Sequence, residues 1–207
     1  MVRRRADGAT ELRVNGVFVM DDVETSSERL LADHVLGLGA REVLVGGLGL
    51  GFTARALLDG PPGDGAEGRP AERVVVAELH CEVVDAVADG AGAGPLDDPR
   101  LTVVVGDVAD VVADQPPASL DAIVLDVDNG PDFLVHPGNA DLYRHDFIAT
   151  CVTRLRPGGT LAVWSMADSP DLRAVLGAHL AAVDAHRVPV RLQGRDEAYW
   201  VLAGRRQ

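Results

Sequence analysis

From Arg41 onward, short apolar runs alternate with segments of helical periodicity, and this alternation limits the fold more than any other feature. Strands that alternate with helices pair in parallel, and the helices then cover both faces of the sheet. The last two strand-like runs, HRVPVRL and EAYWVLAG, have no helix between them and predict an antiparallel hairpin. We therefore expect an α/β protein whose mostly parallel, seven-stranded sheet is closed by an antiparallel C-terminal hairpin.

The first part of the chain follows another pattern. Alternating apolar residues flank Asn15-Gly16, a dipeptide that suits a tight hairpin turn. The next segment, SSERLLADHVLGLG, has helical periodicity. We expect residues 1–40 to form an extension of one short N-terminal β-hairpin and one helix, and residues 41–207 to form the main domain.

Charge and hydropathy exclude several function classes. The chain of 207 residues has a formal net charge of −13 and contains no Lys. Nucleic acid is therefore not an expected partner, because phosphate binding needs clustered basic residues. No run approaches the roughly 18 apolar residues of a membrane helix, and no apolar segment follows the basic N-terminus as in a secretory signal. We expect a cytoplasmic protein with a small-molecule substrate, whose hairpin edges are compatible with a homodimer.

A glycine loop follows the first strand of the predicted sheet. In such sheets, ligands bind beyond the carboxyl ends of the strands. Gly47, Gly49 and Gly51 in GGLGLG permit a tight turn and a close backbone approach to a ligand beside a helix N-terminus. The dinucleotide fingerprint GxGxxG is not met, because Phe52 stands where its third glycine belongs. A plain tight turn explains the same residues without a ligand.

Carboxylates end the next two strands. Glu78 ends the second, where it can accept hydrogen bonds from ribose hydroxyls. Asp107 ends the third, where it can accept from an adenine amino group. Each residue alone is also explained as a solvated strand end. At successive strand ends, together with the glycine loop, they favour one shared cofactor site.

The fourth strand ends in VLDVDNGPDF, which places polar groups directly after an apolar run. Asp126 is the first candidate for orienting or deprotonating a substrate, and Asp128 and His136 are further catalytic candidates. Asn129 can donate and accept hydrogen bonds to a substrate or to the amino-acid part of a cofactor. Tyr143 can reach the same cleft, although packing explains it equally well.

A metal site at this strand end is incomplete. Magnesium requires near-octahedral oxygen ligands, and Asp126 and Asp128 supply only two. No Asp-Asn pair follows the fifth strand to complete the set. We therefore predict a site without metal.

Five segments, taken in chain order, carry a resemblance to a known group. The segments VLVGGLGLGFTARALL, VVVAEL, LTVVVGD, LDAIVLDVDNGPDF and LYRHDFIATCVTRLRPGGTLAVWS resemble the spermidine synthase-like group of the class I methyltransferase superfamily. The GxGxG spacing is similar to motif I of these enzymes, which bind S-adenosylmethionine (SAM). The resemblance implies a Rossmann-like class I methyltransferase fold and an adenosyl cofactor. In polyamine synthases of this group, the donor is decarboxylated SAM and the reaction moves an aminopropyl group.

Two positions depart from the pattern of polyamine synthases. Their first loop usually reads GGGDGG, and its Asp helps to hold the amine of the donor, whereas this chain has Gly49. The second Asp of their DSxDP motif helps to deprotonate the attacking amine, whereas this chain has Asn129. We therefore expect methyl transfer from SAM to a small molecule. Aminopropyl transfer from decarboxylated SAM and non-catalytic adenosyl binding are the alternatives.

Overall fold

The computed structural model describes residues 1–14, 16–62, 68–94, 97–127, 129–192 and 195–207. Its strands are β1 (Val2–Arg4), β2 (Thr10–Val14), β3 (Val17–Asp21), β4 (Glu42–Gly46), β5 (Arg73–Glu78), β6 (Leu101–Val105), β7 (Leu120–Leu125), β8 (Leu155–Ser165), β9 (Ala181–Leu192) and β10 (Arg195–Arg205). Its helices are α1 (Ser26–Gly37), α2 (Phe52–Asp59), α3 (Cys81–Ala88), α4 (Val108–Ala113), α5 (His145–Arg154) and α6 (Pro170–His179), with a 3₁₀ segment at Pro137–Tyr143.

The main sheet has seven strands in the order β6-β5-β4-β7-β8-β10-β9. Strands β6, β5, β4, β7 and β8 are parallel, and β10 runs antiparallel to both β8 and β9. This arrangement confirms the predicted sheet and its closing hairpin. The strand order reverses between β4 and β7, so the crevice beyond their carboxyl ends is the expected ligand site.

Apolar side chains fill both faces of this sheet. Val124 packs in the cluster that contains Leu31 of α1 and Leu57 of α2. Ile123 and Leu125 belong to the cluster on the other face, which α4, α5 and α6 cover. Because successive residues of a strand point to opposite faces, the residue two positions after Val124 also points toward α1 and α2. That residue is Asp126.

The N-terminal extension is larger than the predicted hairpin. The hairpin of β2 and β3 is present, but β1 adds a third antiparallel strand beside β2. The sequence analysis missed β1, because its short basic run VRR lacks apolar alternation. Backbone pairing and a 3.0 Å ion pair between Arg3 and Glu11 hold it in place. Asn15 lies outside the described residues, and the division between residues 40 and 41 stays a prediction.

None of the described helices is long and apolar enough to cross a membrane.

Candidate active site

A cleft opens at the carboxyl ends of β4 to β7, and the N-terminal sheet forms one of its walls. Its space, including the open mouth, is about 740 Å³. The apolar wall comes from Leu12, Val14 and Val19 of the hairpin. Six residues predicted from the sequence line the cleft together: Gly47, Gly49, Glu78, Asp107, Asp126 and His136.

Gly47 allows the ends of β4 and β7 to approach closely. Its φ is +88°, and an added Cβ would lie only 2.3 Å from the carbonyl oxygen of Asp126. A side chain at this position would therefore separate the glycine loop from the end of β7. Gly51 has φ +84° at the N-cap of α2, so its role is to turn the chain into the helix.

Met20 of β3 lies against the glycine loop. An added Cβ at Gly49 would be 2.7 Å from Met20 Sδ, and the backbone N–H of Leu50 donates to the same sulfur at 3.2 Å. The space beside Gly49, where a polyamine synthase would carry Asp, therefore holds a thioether. Sequence analysis did not identify Met20, because nothing in the linear sequence links the hairpin to the loop.

Glu78 is buried at the floor of the cleft. Its Oε2 accepts from the backbone N–H of Leu48 and its Oε1 from that of His80, each at 2.9 Å. These two bonds fix the carboxylate. Because an ionised carboxylate offers about four acceptor sites, both oxygens can still accept from a diol.

Asp107 lines the cleft and caps α4. Its side chain accepts from the backbone N–H of Ala109 at 2.8 Å. The same carboxylate can accept a further hydrogen bond from a ligand, since one N–H occupies only part of its acceptor capacity.

Asp107→Ala is expected to destabilise the fold by about 1 kcal/mol, because the N-terminal N–H groups of α4 lose their cap. Asp107→Asn should keep nearly full stability, since the amide oxygen also caps. Urea denaturation of both variants measures the difference. Equal loss of stability in the two variants would contradict the capping role.

Asp126 begins the segment after β7. Thr53 of α2 donates its hydroxyl to Asp126 Oδ2 at 2.5 Å, and the Asp126 backbone N–H donates to the Gly46 carbonyl at 2.9 Å. Burial raises the pKa of Asp126 to about 6, and the bond from Thr53 opposes that rise. The carboxyl group is thus held firmly in a place where it takes up a proton more readily than an exposed Asp does.

Glu28 of α1 is a second buried carboxyl group on this side of the sheet. Its exposure is 8%, and Ser27 Oγ donates to its Oε2 at 2.7 Å. Burial and then the charge of Asp126 raise the pKa of Glu28 to about 7. Sequence analysis missed Glu28, although helical spacing places it on the face of the fully buried Leu31 and Val35.

Among the described residues, the predicted Gly51, Tyr143 and Asn129 do not line the cleft. Tyr143 is buried, and its hydroxyl donates to the Val127 carbonyl at 3.0 Å, which holds the segment after β7. Asn129 accepts from the Met166 backbone N–H at 3.1 Å through its own main-chain oxygen. Asp128 lies outside the described residues.

The described residues contain no cluster of three or more His, Cys, Asp and Glu side chains arranged to hold a metal ion.

Sequence comparison finds relatives that share a name. A polyamine aminopropyltransferase of Mycobacterium tuberculosis is 36% identical over 130 residues, which are 60% of this chain and 23% of that protein. One of Nitrosomonas europaea is 34% identical over 147 residues, which are 69% of this chain and 40% of that protein. The chain therefore spans less than half the length of either relative. No protein-family model matches the chain.

Solved structures confirm the expected fold. Spermidine synthase from Thermotoga maritima has a TM-score of 0.75 and 15% identity, covering 100% of this chain and 68% of that one. Human methyltransferase-like protein 13, solved in complex with SAH, has a TM-score of 0.62 and 19% identity, covering 87% of this chain and 80% of that one. At such identities the likeness concerns the fold, which is the Rossmann-like class I methyltransferase fold.

Proposed function

We propose that this chain, which belongs to the spermidine synthase-like group of the methyltransferase superfamily, transfers an aminopropyl group from decarboxylated SAM to a small amine. Gly49 and Asn129 led us to expect methyl transfer, with aminopropyl transfer as the alternative. The name shared by the relatives favours that alternative. The observation that carries the proposal is the charge of the cleft.

The described residues that line the cleft include three carboxylates and no Arg. Glu78, Asp107 and Asp126 therefore attract positive charge. Decarboxylated SAM carries a sulfonium and an ammonium group, and a polyamine acceptor is also cationic. SAM has an additional carboxylate, which would lie among these three carboxylates without an Arg to pair with. The cleft thus suits the decarboxylated donor and a cationic acceptor better than it suits SAM.

The adenosyl part of either donor fits the residues predicted for it. Glu78 has acceptor capacity for the ribose hydroxyls, and Asp107 for the adenine amino group. Leu79, which is exposed and lines the cleft between these carboxylates, offers apolar surface to the base. The glycine loop leaves room for the part of the donor that carries sulfur.

The bound donor would supply a carbon activated by its bond to the sulfonium. The amine nitrogen attacks this carbon, so that a C–N bond forms as the C–S bond breaks, and a neutral thioether leaves. Asp126 orients the amine and accepts its proton, and a carboxylate with a pKa of about 6 is a stronger base than an ordinary Asp. Thr53 fixes the orientation of Asp126. His136, which also lines the cleft, can receive the proton next.

Product analysis tests this proposal. We expect purified protein given decarboxylated SAM and 1,4-diaminobutane to release methylthioadenosine, and a reaction without the amine to release none. SAM with the same amine should yield little SAH. Predominant SAH formation would instead support methyl transfer, and release of neither product would support the non-catalytic alternative. Cytoplasmic location and a homodimer stay predictions.

A further inference from the structure

Glu28 of α1 and Asp126 after β7 are two carboxyl groups close enough for the charge of Asp126 to raise the pKa of Glu28. Asp126 lines the cleft, whereas Glu28 is buried and is not among the lining residues. Each accepts a bond from a neutral hydroxyl, Glu28 from Ser27 and Asp126 from Thr53. Across the described residues, neither carboxylate forms an ion pair with Arg or His.

A buried carboxylate (Glu28) and a partly buried one (Asp126) without a cation beside them are unfavourable when both are ionised. Desolvation penalises each charge, and their mutual repulsion adds to that penalty. A positive charge that enters the cleft at Asp126 offsets part of both costs. The pair is therefore arranged to receive a cation from the solvent side of Asp126.

The surroundings of the pair supply a second observation. Leu125 of β7 pairs with Val163 of the parallel strand β8. The next residues in this register are Asp126 and Trp164, which therefore point to the same face of the sheet. The Trp164 indole N–H is buried and has no hydrogen-bond partner among the described residues. The indole ring packs on Tyr199 with centroids 4.7 Å apart. Both rings pack in the cluster on the face of the sheet that carries Asp126, and the face of an aromatic ring attracts an ammonium group.

We infer that Glu28 is a positioning residue that acts through Asp126, so that together they attract the positive charges of decarboxylated SAM and of the acceptor amine to the reacting end of the cleft. The inference rests on the proposed function, because it takes the substrate to be cationic. It assigns part of the active site to the N-terminal extension, which contributes Glu28.

Several titratable groups face the pair and could add their own pH dependence. Glu24, which precedes α1, and Tyr199 of β10 both interact electrostatically with Glu28. Farther along α1, His34 packs against His186 of β9. The histidines that line the cleft are His80 and His136. Only the pH dependence that disappears when Glu28 is replaced belongs to Glu28.

Calorimetric binding of two ligands tests the inference. Decarboxylated SAM carries two positive charges, whereas methylthioadenosine has the same adenosyl part and no charge. We expect wild-type protein to bind decarboxylated SAM roughly 10- to 100-fold more tightly well above the Glu28 pKa of about 7 than well below it. Methylthioadenosine affinity should stay constant.

Glu28→Gln should remove this gain for the charged ligand and leave methylthioadenosine binding intact. Glu28→Asp should restore part of the gain. The matched control is Glu82→Gln, which neutralises an exposed carboxylate on α3 and should behave as wild type. An unchanged ratio of the two affinities in Glu28→Gln would overturn the inference. If that variant does not fold, a pH-independent affinity of the wild type for decarboxylated SAM would overturn it equally.

The outcomes separate this inference from the proposed function. If the wild-type protein shows the pH-dependent ratio but transfers no aminopropyl group, the inferred role of Glu28 stands and the proposed reaction is wrong. If the wild-type protein transfers the group and Glu28→Gln binds both ligands as the wild type does, the proposed reaction stands and the inferred role of Glu28 is wrong.

Discussion

Asp126→Asn is expected to lower kcat/KM for aminopropyl transfer by roughly 10²- to 10⁴-fold, while methylthioadenosine still binds. The amide keeps the shape of the side chain, and its oxygen can still accept the 2.5 Å hydrogen bond from Thr53. It cannot take a proton from the attacking amine, and it contributes no charge to hold a cation. Steady-state kinetics and calorimetry with methylthioadenosine measure these two consequences separately.

The same substitution at Asp89, at the exposed end of α3, is the matched control and should not change kcat/KM. Asp126→Asn also removes the charge that helps to raise the pKa of Glu28, so that pKa should fall toward its ordinary value. A kcat/KM within a few-fold of wild type would show that another group accepts the proton. His136 and Asp128 would then be the next residues to replace.

The main sheet was predictable because its information is local. Each strand and helix of the central domain carries its own periodicity, and the parallel arrangement follows from their alternation. Strand β1 was not predictable in this way. Its residues gain their strand conformation from pairing with β2, and the basic run has no apolar face that signals a strand.

The strand-end part of the site was also predictable. Parallel strands bring their carboxyl ends to one edge, so Glu78, Asp107 and Asp126 had to lie near the glycine loop. Glu28, Met20 and the apolar wall of the hairpin depend on how the N-terminal extension packs. That packing involves contacts between distant parts of the chain, which no single-sequence periodicity specifies.

One signal for Glu28 was nevertheless present in the sequence. A charged residue three and seven positions before Leu31 and Val35 shares their helix face and must be buried with them. A buried Glu with no basic residue three or four positions away on its helix face points to function more than to stability.

The two departures from polyamine synthases have counterparts in the structure. At Gly49 the missing carboxylate is replaced by the thioether of Met20, which makes that side of the loop apolar. In the proposed site, negative charge is supplied instead from α1, where Glu28 interacts electrostatically with Asp126. We expect the negative charge to be concentrated at Asp126, directly after β7. Asp126 can then act as the base although position 129 is Asn and not Asp.

Glu28→Gln is expected to make the unliganded protein more stable than wild type above about pH 7, by about 3 kcal/mol at 1.36 kcal/mol per pKa unit. In the fold, the Glu28 pKa of about 7 lies above its ordinary value of 4.5. Below the ordinary value both folded and unfolded states are protonated, and the full stability of the wild type is present. As pH rises through the folded pKa, the unfolded state ionises more easily and wild-type stability is lost.

Gln does not ionise, and its amide oxygen can still accept the bond from Ser27, so the variant avoids this loss. Urea denaturation across the pH range from about 5 to about 8 should therefore give curves that separate as pH rises. Glu82→Gln provides a control of opposite sign, because the Glu82 pKa is lowered in the fold, chiefly by hydrogen bonding to the backbone. Parallel curves for wild type and Glu28→Gln would mean that Glu28 carries no buried charge. A stabilising loss of charge at Glu28, combined with weaker binding of a cationic ligand, is the signature of a residue kept for function at the expense of stability.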